Sequence, residues 1–175
     1  KAAACFRLIR AKNDSDLRGD PVACRGIIYL TGSGTSMTAT AKPASSAILE
    51  RDGRYLLVRR ANPPAADMFA FPGGRAEPGE TPEETAIREF REETGLDVAR
   101  PRLFATYDLE TRGPDGALQS HYFLSVFQVE ACDAAEAVAA DDAAELGWYS
   151  LAEIRGMNVP DSVLDCIDRL ERAAA

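Results

Sequence analysis

The segment Gly73–Leu96, GGRAEPGETPEETAIREFREETGL, constrains the fold more tightly than any other stretch of the chain. Thr81 can cap a helix, Pro82 suits the first helical position, and Glu84 stands where a capping box closes. Gly95 offers the left-handed residue at which helices end. The pattern predicts a helix over roughly Pro82–Thr94, with Ala86, Ile87 and Phe90 forming an apolar stripe that must face a sheet. Seven glutamates lie among those 24 residues. Glu89, Glu92 and Glu93 share one helix face, where like charges destabilise an isolated helix by about 0.2–0.5 kcal/mol per pair. A divalent cation reverses that sign, and oxygen donors without histidine or cysteine favour Mg²⁺ or Mn²⁺ over zinc. Arg88 lies four residues from both Glu84 and Glu92, placed to hold a carboxylate. A solvated acidic face is the alternative for the helix alone. Gly73-Gly74, which lets a backbone carbonyl approach closely, and Glu80 at the far end of the loop tilt the choice toward a cation.

The rest of the chain punctuates into strands around this unit. SSAILE and RYLLVRR flank Arg51-Asp52-Gly53, a tight-hairpin signal. ANPPAAD (61–67) reads as a proline-rich loop, followed by the short run MFAF and Pro72-Gly73-Gly74. PRLFATYDLET and ALQSHYFLSVFQVE read as two long strands joined at Gly113–Gly116. AEAVAADDAAELG is a mobile loop or a weak helix, LGWYSL a last strand, and Asp161–Ala173 a closing amphipathic helix carrying Val163, Ile167 and Leu170 on one face. Strands mixed with two helices indicate an α/β or α+β sandwich.

Residues 1–36 look unlike the remainder. They carry a net charge of +3 against −11 for residues 37–175, and GSGTS (32–36) resembles a linker or cloning scar before Met37. The sequence therefore divides into a vector-derived or linker extension, 1–36, and a functional domain, 37–175; a native strand near Gly26–Thr31 is the competing possibility.

Several functions are argued against. The net charge of −8 opposes a nucleic-acid backbone as partner. No apolar run approaches the roughly 20 residues that cross a bilayer. The four cysteines show no CxxC pairing, as expected of reduced thiols in a cytoplasmic protein. The single histidine, His121, excludes HExxH zinc chemistry, argues against a histidine-centred triad, and sits in an apolar run as a strand residue.

Gly74, five residues, Glu80, seven residues, then Arg88-Glu89-Phe90-Arg91-Glu92-Glu93-Thr94-Gly95-Leu96 resembles the Nudix box at every specified position. The resemblance extends from about Ser45 to Leu170. It implies an α/β/α sandwich with a mixed sheet, and Mg²⁺- or Mn²⁺-dependent hydrolysis of a nucleoside diphosphate linked to another moiety. Carried over, Glu89, Glu92 and Glu93 are metal ligands with the Gly73 carbonyl beside them, Glu80 acts behind them or through water, and Arg88 orients the glutamates. The general base is Glu89 or a loop acid among Asp141, Asp142 and Glu145, with Asp142 placed first. Arg59, Arg60 and Phe71 are assigned to substrate.

LLVRRANPPAADMFAFPGG and DDAAELGWYSLAEI look most like bacterial ADP-ribose pyrophosphatases. That subgroup often has a proline some 16 residues past its box; here Thr111 stands there, with Pro114 the nearest. Asn158 lies close to the asparagine of oxidised-purine triphosphatases, but Pro160 takes the corresponding position. Hydrolysis of (d)NTPs, including oxidised nucleotides, and nucleotide sensing without turnover are the alternatives. The implied partner is a small-molecule nucleotide, without nucleic acid or membrane; a homodimer is left open.

Overall fold

The computed structural model describes residues 5–11, 40–60, 67–132, 136–138 and 143–174. Strands β2 (Lys42–Arg51) and β3 (Arg54–Arg60) form the expected hairpin, and Asp52 and Gly53 take φ of 53° and 72°, the left-handed pair that a two-residue turn requires. Short strands β4 (Phe69–Ala70) and β5 (Gly73–Arg75) follow. Helix α1 spans Pro82–Thr94, with the Thr81–Glu84 capping box in place and Gly95 at φ 69° as its left-handed end. Strands β6 (Val98–Arg112) and β7 (Leu118–Ala131) make the second hairpin, followed by β8 (Ala143–Tyr149). Helices α2 (Leu151–Ile154) and α3 (Asp161–Ala174) close the fold.

The sheet is mixed. Its order is β1-β6-β7-β2-β3-β4, with β5 on β2 and β8 on β3; β2 and β7 run parallel and the other pairs antiparallel. Alternation along the strands sorts side chains to two faces. Ala47, Leu49, Leu56 and Phe127 pack with Ala86 and Phe90 of α1, whereas Ile48, Leu57 and Val126 pack with Val163, Ile167 and Leu170 of α3. The result is the α/β/α sandwich that the resemblance implies. Tyr107 ties the far layer down: its hydroxyl donates to Asp165 at 2.7 Å, and Arg169 holds the same carboxylate at 2.7 Å. No described helix is long and apolar enough to cross a membrane.

Three local features differ from the sequence pattern. Gly73-Gly74, expected to end the MFAF run ahead of a loop, is itself strand, because β2 offers Ala44–Ser46 as a pairing edge. The end of the acidic alanine-rich stretch is strand β8, paired to β3. Leu151 opens a helix instead of ending a strand, since Ser150 and Glu153 form a second capping box. In addition, strand β1 (Cys5–Ala11), within the segment set apart as an extension, pairs with the outer edge of β6. Gly26–Thr31 lies outside the described residues.

Phe90 is fully buried at the centre of the α1 layer. Phe90→Ala is therefore expected to cost about 3–5 kcal/mol of unfolding free energy. Urea denaturation measures this, and a loss below about 1 kcal/mol would show that α1 is not docked by this side chain.

Candidate active site

The β2–β5 pairing carries a backbone strand past the acidic face of α1. A Cβ on Gly73 would run into the Ser45 carbonyl, and one on Gly74 would run into the Glu89 carboxylate. Glycine at both positions is thus what allows backbone, sheet edge and helix acid to meet. Glu93, 3% exposed, turns inward and accepts a hydrogen bond from the Gly73 N–H at 2.9 Å. A buried carboxylate thereby locks the helix to the strand.

Arg88 organises the other acids. Its Nε and Nη2 hold Glu80 as a fork at 2.6 and 2.9 Å. Nη1 donates to Glu89 at 3.0 Å and to Glu92 at 2.8 Å, and Nη2 also donates to the Arg75 carbonyl at 3.1 Å. These contacts match the five N–H donors of a guanidinium. Glu84, the other acid four residues from Arg88, is instead used by the capping box at Thr81.

Glu80 is equally occupied. It also accepts from the Glu77 N–H at 2.8 Å and from the Thr85 hydroxyl at 3.0 Å. Its role in this arrangement is to fix the loop and Arg88. Arg88 first, then the Glu77 amide, hold its carboxyl down at about 2. Burial raises the Glu89 carboxyl, with Arg88 pulling in the opposite direction. Glu92 is the open member, with its side chain 46% exposed, and it borders a surface groove with Gly79, Glu80, Ile87 and Arg88.

Glu89, Glu92 and Glu93 with the Gly73 carbonyl make an all-oxygen donor set, which suits a hard divalent cation. Among the described residues no three acids are already gathered as a coordination shell. The hydrogen bonds account for this, since Arg88 holds two of the three and the Gly73 amide holds the third. The donor chemistry fits; a cation would have to draw these oxygens away from Arg88.

The other predicted residues fall in different places. Arg60 donates from Nη1 to the Gly73 carbonyl at 2.9 Å, which puts it inside the site. Arg59, its neighbour on the strand, pairs with Glu145 and Asp67, each at 3.1 Å. Phe71 is 4% exposed and packs in the α3-side core, so it offers no face to a ligand. Asp141 and Asp142 lie outside the described residues. His121 is a strand residue, hydrogen-bonded to Asp108. Asn158 donates from its side chain to the Asp67 carbonyl at 3.4 Å. Sequence spacing did not reveal Thr85, whose burial beside an N-cap was the available signal, or the Arg75 carbonyl, which only the fold brings to Arg88.

The sandwich thus brings a loop, a helix and a glycine strand together around one arginine. The family model for the NUDIX domain matches residues 40–165, and the chain belongs to the Nudix family. It is 39% identical over 108 residues to an ADP-ribose pyrophosphatase of Methanocaldococcus jannaschii, covering 62% of this chain and 61% of that protein. It is 36% identical over 89 residues to the CTP pyrophosphohydrolase of Escherichia coli, covering 43% of this chain and 66% of that one. The chain thus matches less than two thirds of the length of either relative. Among solved structures, the MutT NUDIX hydrolase from Burkholderia pseudomallei superimposes with a TM-score of 0.64 over 74% of this chain and 98% of that one; at 24% identity this likeness bears on the fold.

The Arg88–Glu80 tie has a signed pH dependence. The folded value of Glu80 lies below its unfolded value, so the contribution is complete above the ordinary glutamate pKa of about 4.3 and is lost as pH falls from there through about 2. In Arg88→Met the Glu80 carboxyl should titrate higher than in the wild type by NMR, while the Glu77 amide and Thr85 still hold it below the ordinary value. A carboxyl that stays near 2 would show that the loop amide and Thr85, not Arg88, depress it.

Proposed function

We propose that this domain hydrolyses the pyrophosphate bond of a nucleoside diphosphate linked to another moiety, with Mg²⁺ or Mn²⁺ as cofactor, and that ADP-ribose is its substrate, giving AMP and ribose 5-phosphate. The observation that carries this reading is the set of glutamates gathered at Arg88 and Gly73, where three carboxylates and a backbone carbonyl sit on one turn-and-helix unit. The named activity of the archaeal relative supports the choice of ADP-ribose. Hydrolysis of (d)NTPs is the second reading, favoured by the relatives named CTP pyrophosphohydrolase and 8-oxo-dGTP diphosphatase in Escherichia coli.

Each residue then has a task. Glu89, Glu92, Glu93 and the Gly73 carbonyl would hold the cation. Once bound, it would neutralise diphosphate oxygens and lower the pKa of a bound water. Glu93 keeps α1 registered on the strand, so the donors remain on one side of the substrate. Arg88 positions Glu89 and Glu92. Glu89 would accept the proton of the attacking water. Water's hydroxyl goes to one phosphorus, and the bridging oxygen leaves with the other phosphoryl group.

Glu92→Gln removes an exposed donor without disturbing the Glu93–Gly73 lock. It should lower metal-dependent turnover by at least about 100-fold while the thermal transition stays in place. The assay is release of mononucleotide from a panel of ADP-ribose, nucleotide sugars, dinucleotides and (d)NTPs. Silence of the wild-type protein across the panel would favour a sensor, and full activity of Glu92→Gln would remove the assigned ligand.

A further inference from the structure

Arg60 is the last residue of β3, and its guanidinium donates to the Gly73 carbonyl oxygen at 2.9 Å. Under the proposed function, on which this inference rests, the same oxygen belongs to a divalent cation. A metal ion on that oxygen would sit at contact distance from the guanidinium, and the two like charges repel. Arg88 is not available for this part, since its five donors are used on Glu80, Glu89, Glu92 and the Arg75 carbonyl.

An exchange follows from the shared oxygen. Cation entry at the Gly73 carbonyl would displace the Arg60 guanidinium and leave its donors to an arriving diphosphate.

We propose that Arg60 is a displaceable counter-ion: it occupies the Gly73 carbonyl in the metal-free protein and is released by the cation to meet the anionic diphosphate. Arg60 accordingly weakens cation binding before nucleotide arrives and strengthens nucleotide binding afterwards. Cation and nucleotide affinities are therefore coupled through one side chain, and each ligand tightens the other.

The test is Mn²⁺ binding, followed by electron paramagnetic resonance, to wild-type protein, Arg60→Met, Arg60→Gln and Glu92→Gln, with and without α,β-methylene-ADP. Without nucleotide, both Arg60 variants should bind Mn²⁺ about fivefold or more tightly than wild type. The nucleotide analogue should tighten Mn²⁺ on the wild type and do so less on the variants. Arg60→Gln keeps an amide able to reach the carbonyl, so an effect in both variants assigns it to charge. Equal or weaker Mn²⁺ binding by the two Arg60 variants, with Glu92→Gln impaired, would overturn the counter-ion role and leave the hydrolase reading standing. Wild type and Glu92→Gln binding alike would overturn both.

Discussion

One guanidinium governs the site. Arg88 alone would be a surface arginine on an acidic helix, worth little in stability. Forked onto Glu80 and bonded to Glu89, Glu92 and the Arg75 carbonyl, it joins loop, helix and strand at one point. Without it the carboxylates on this face would repel one another. With it they are held close together on one partner. The arrangement leaves the acids together on one side of the helix.

The sheet decides what those acids can reach. Because β5 pairs with Ala44–Ser46 of β2, the Gly73-Gly74 backbone passes directly beneath α1. Bare glycine backbone lets the Glu89 carboxylate lie against Gly74, and the buried Glu93 fixes the distance through the Gly73 amide. Arg60 arrives from β3 on the same side, as the alternation that sends Leu56 toward α1 and Leu57 toward α3 requires. Packing of Phe90 thus has a chemical consequence: it sets the height of α1 above the strand. The catalytic reading and the fold share one set of contacts.

Much of this was legible in the residues. Thr81, Pro82, Glu84 and Gly95 marked both ends of α1, because helix termini are chosen by local hydrogen bonding and left-handed geometry. Asp52-Gly53 marked the first hairpin for the same kind of reason. Spacing alone placed Glu89, Glu92 and Arg88 on one face. What spacing could not supply was partnership across elements. Arg60 and Arg59 are adjacent in sequence yet point to opposite faces of β3, one to Gly73 and one to Glu145 and Asp67. Phe71 stood beside the box and proved to be core, since its burial is set by α3. Ser150–Glu153 carried a capping signal that the preceding strand pattern concealed.

The central claim is that Glu89, Glu92, Glu93 and the Gly73 carbonyl converge on a divalent cation against a bound diphosphate. A crystal structure with Mn²⁺ and a non-hydrolysable nucleoside diphosphate, read by anomalous scattering, addresses it directly. The account predicts a manganese peak among those four residues, with the nucleotide's phosphates beside it. A map in which nucleotide is bound and manganese lies elsewhere, or nowhere, would contradict it.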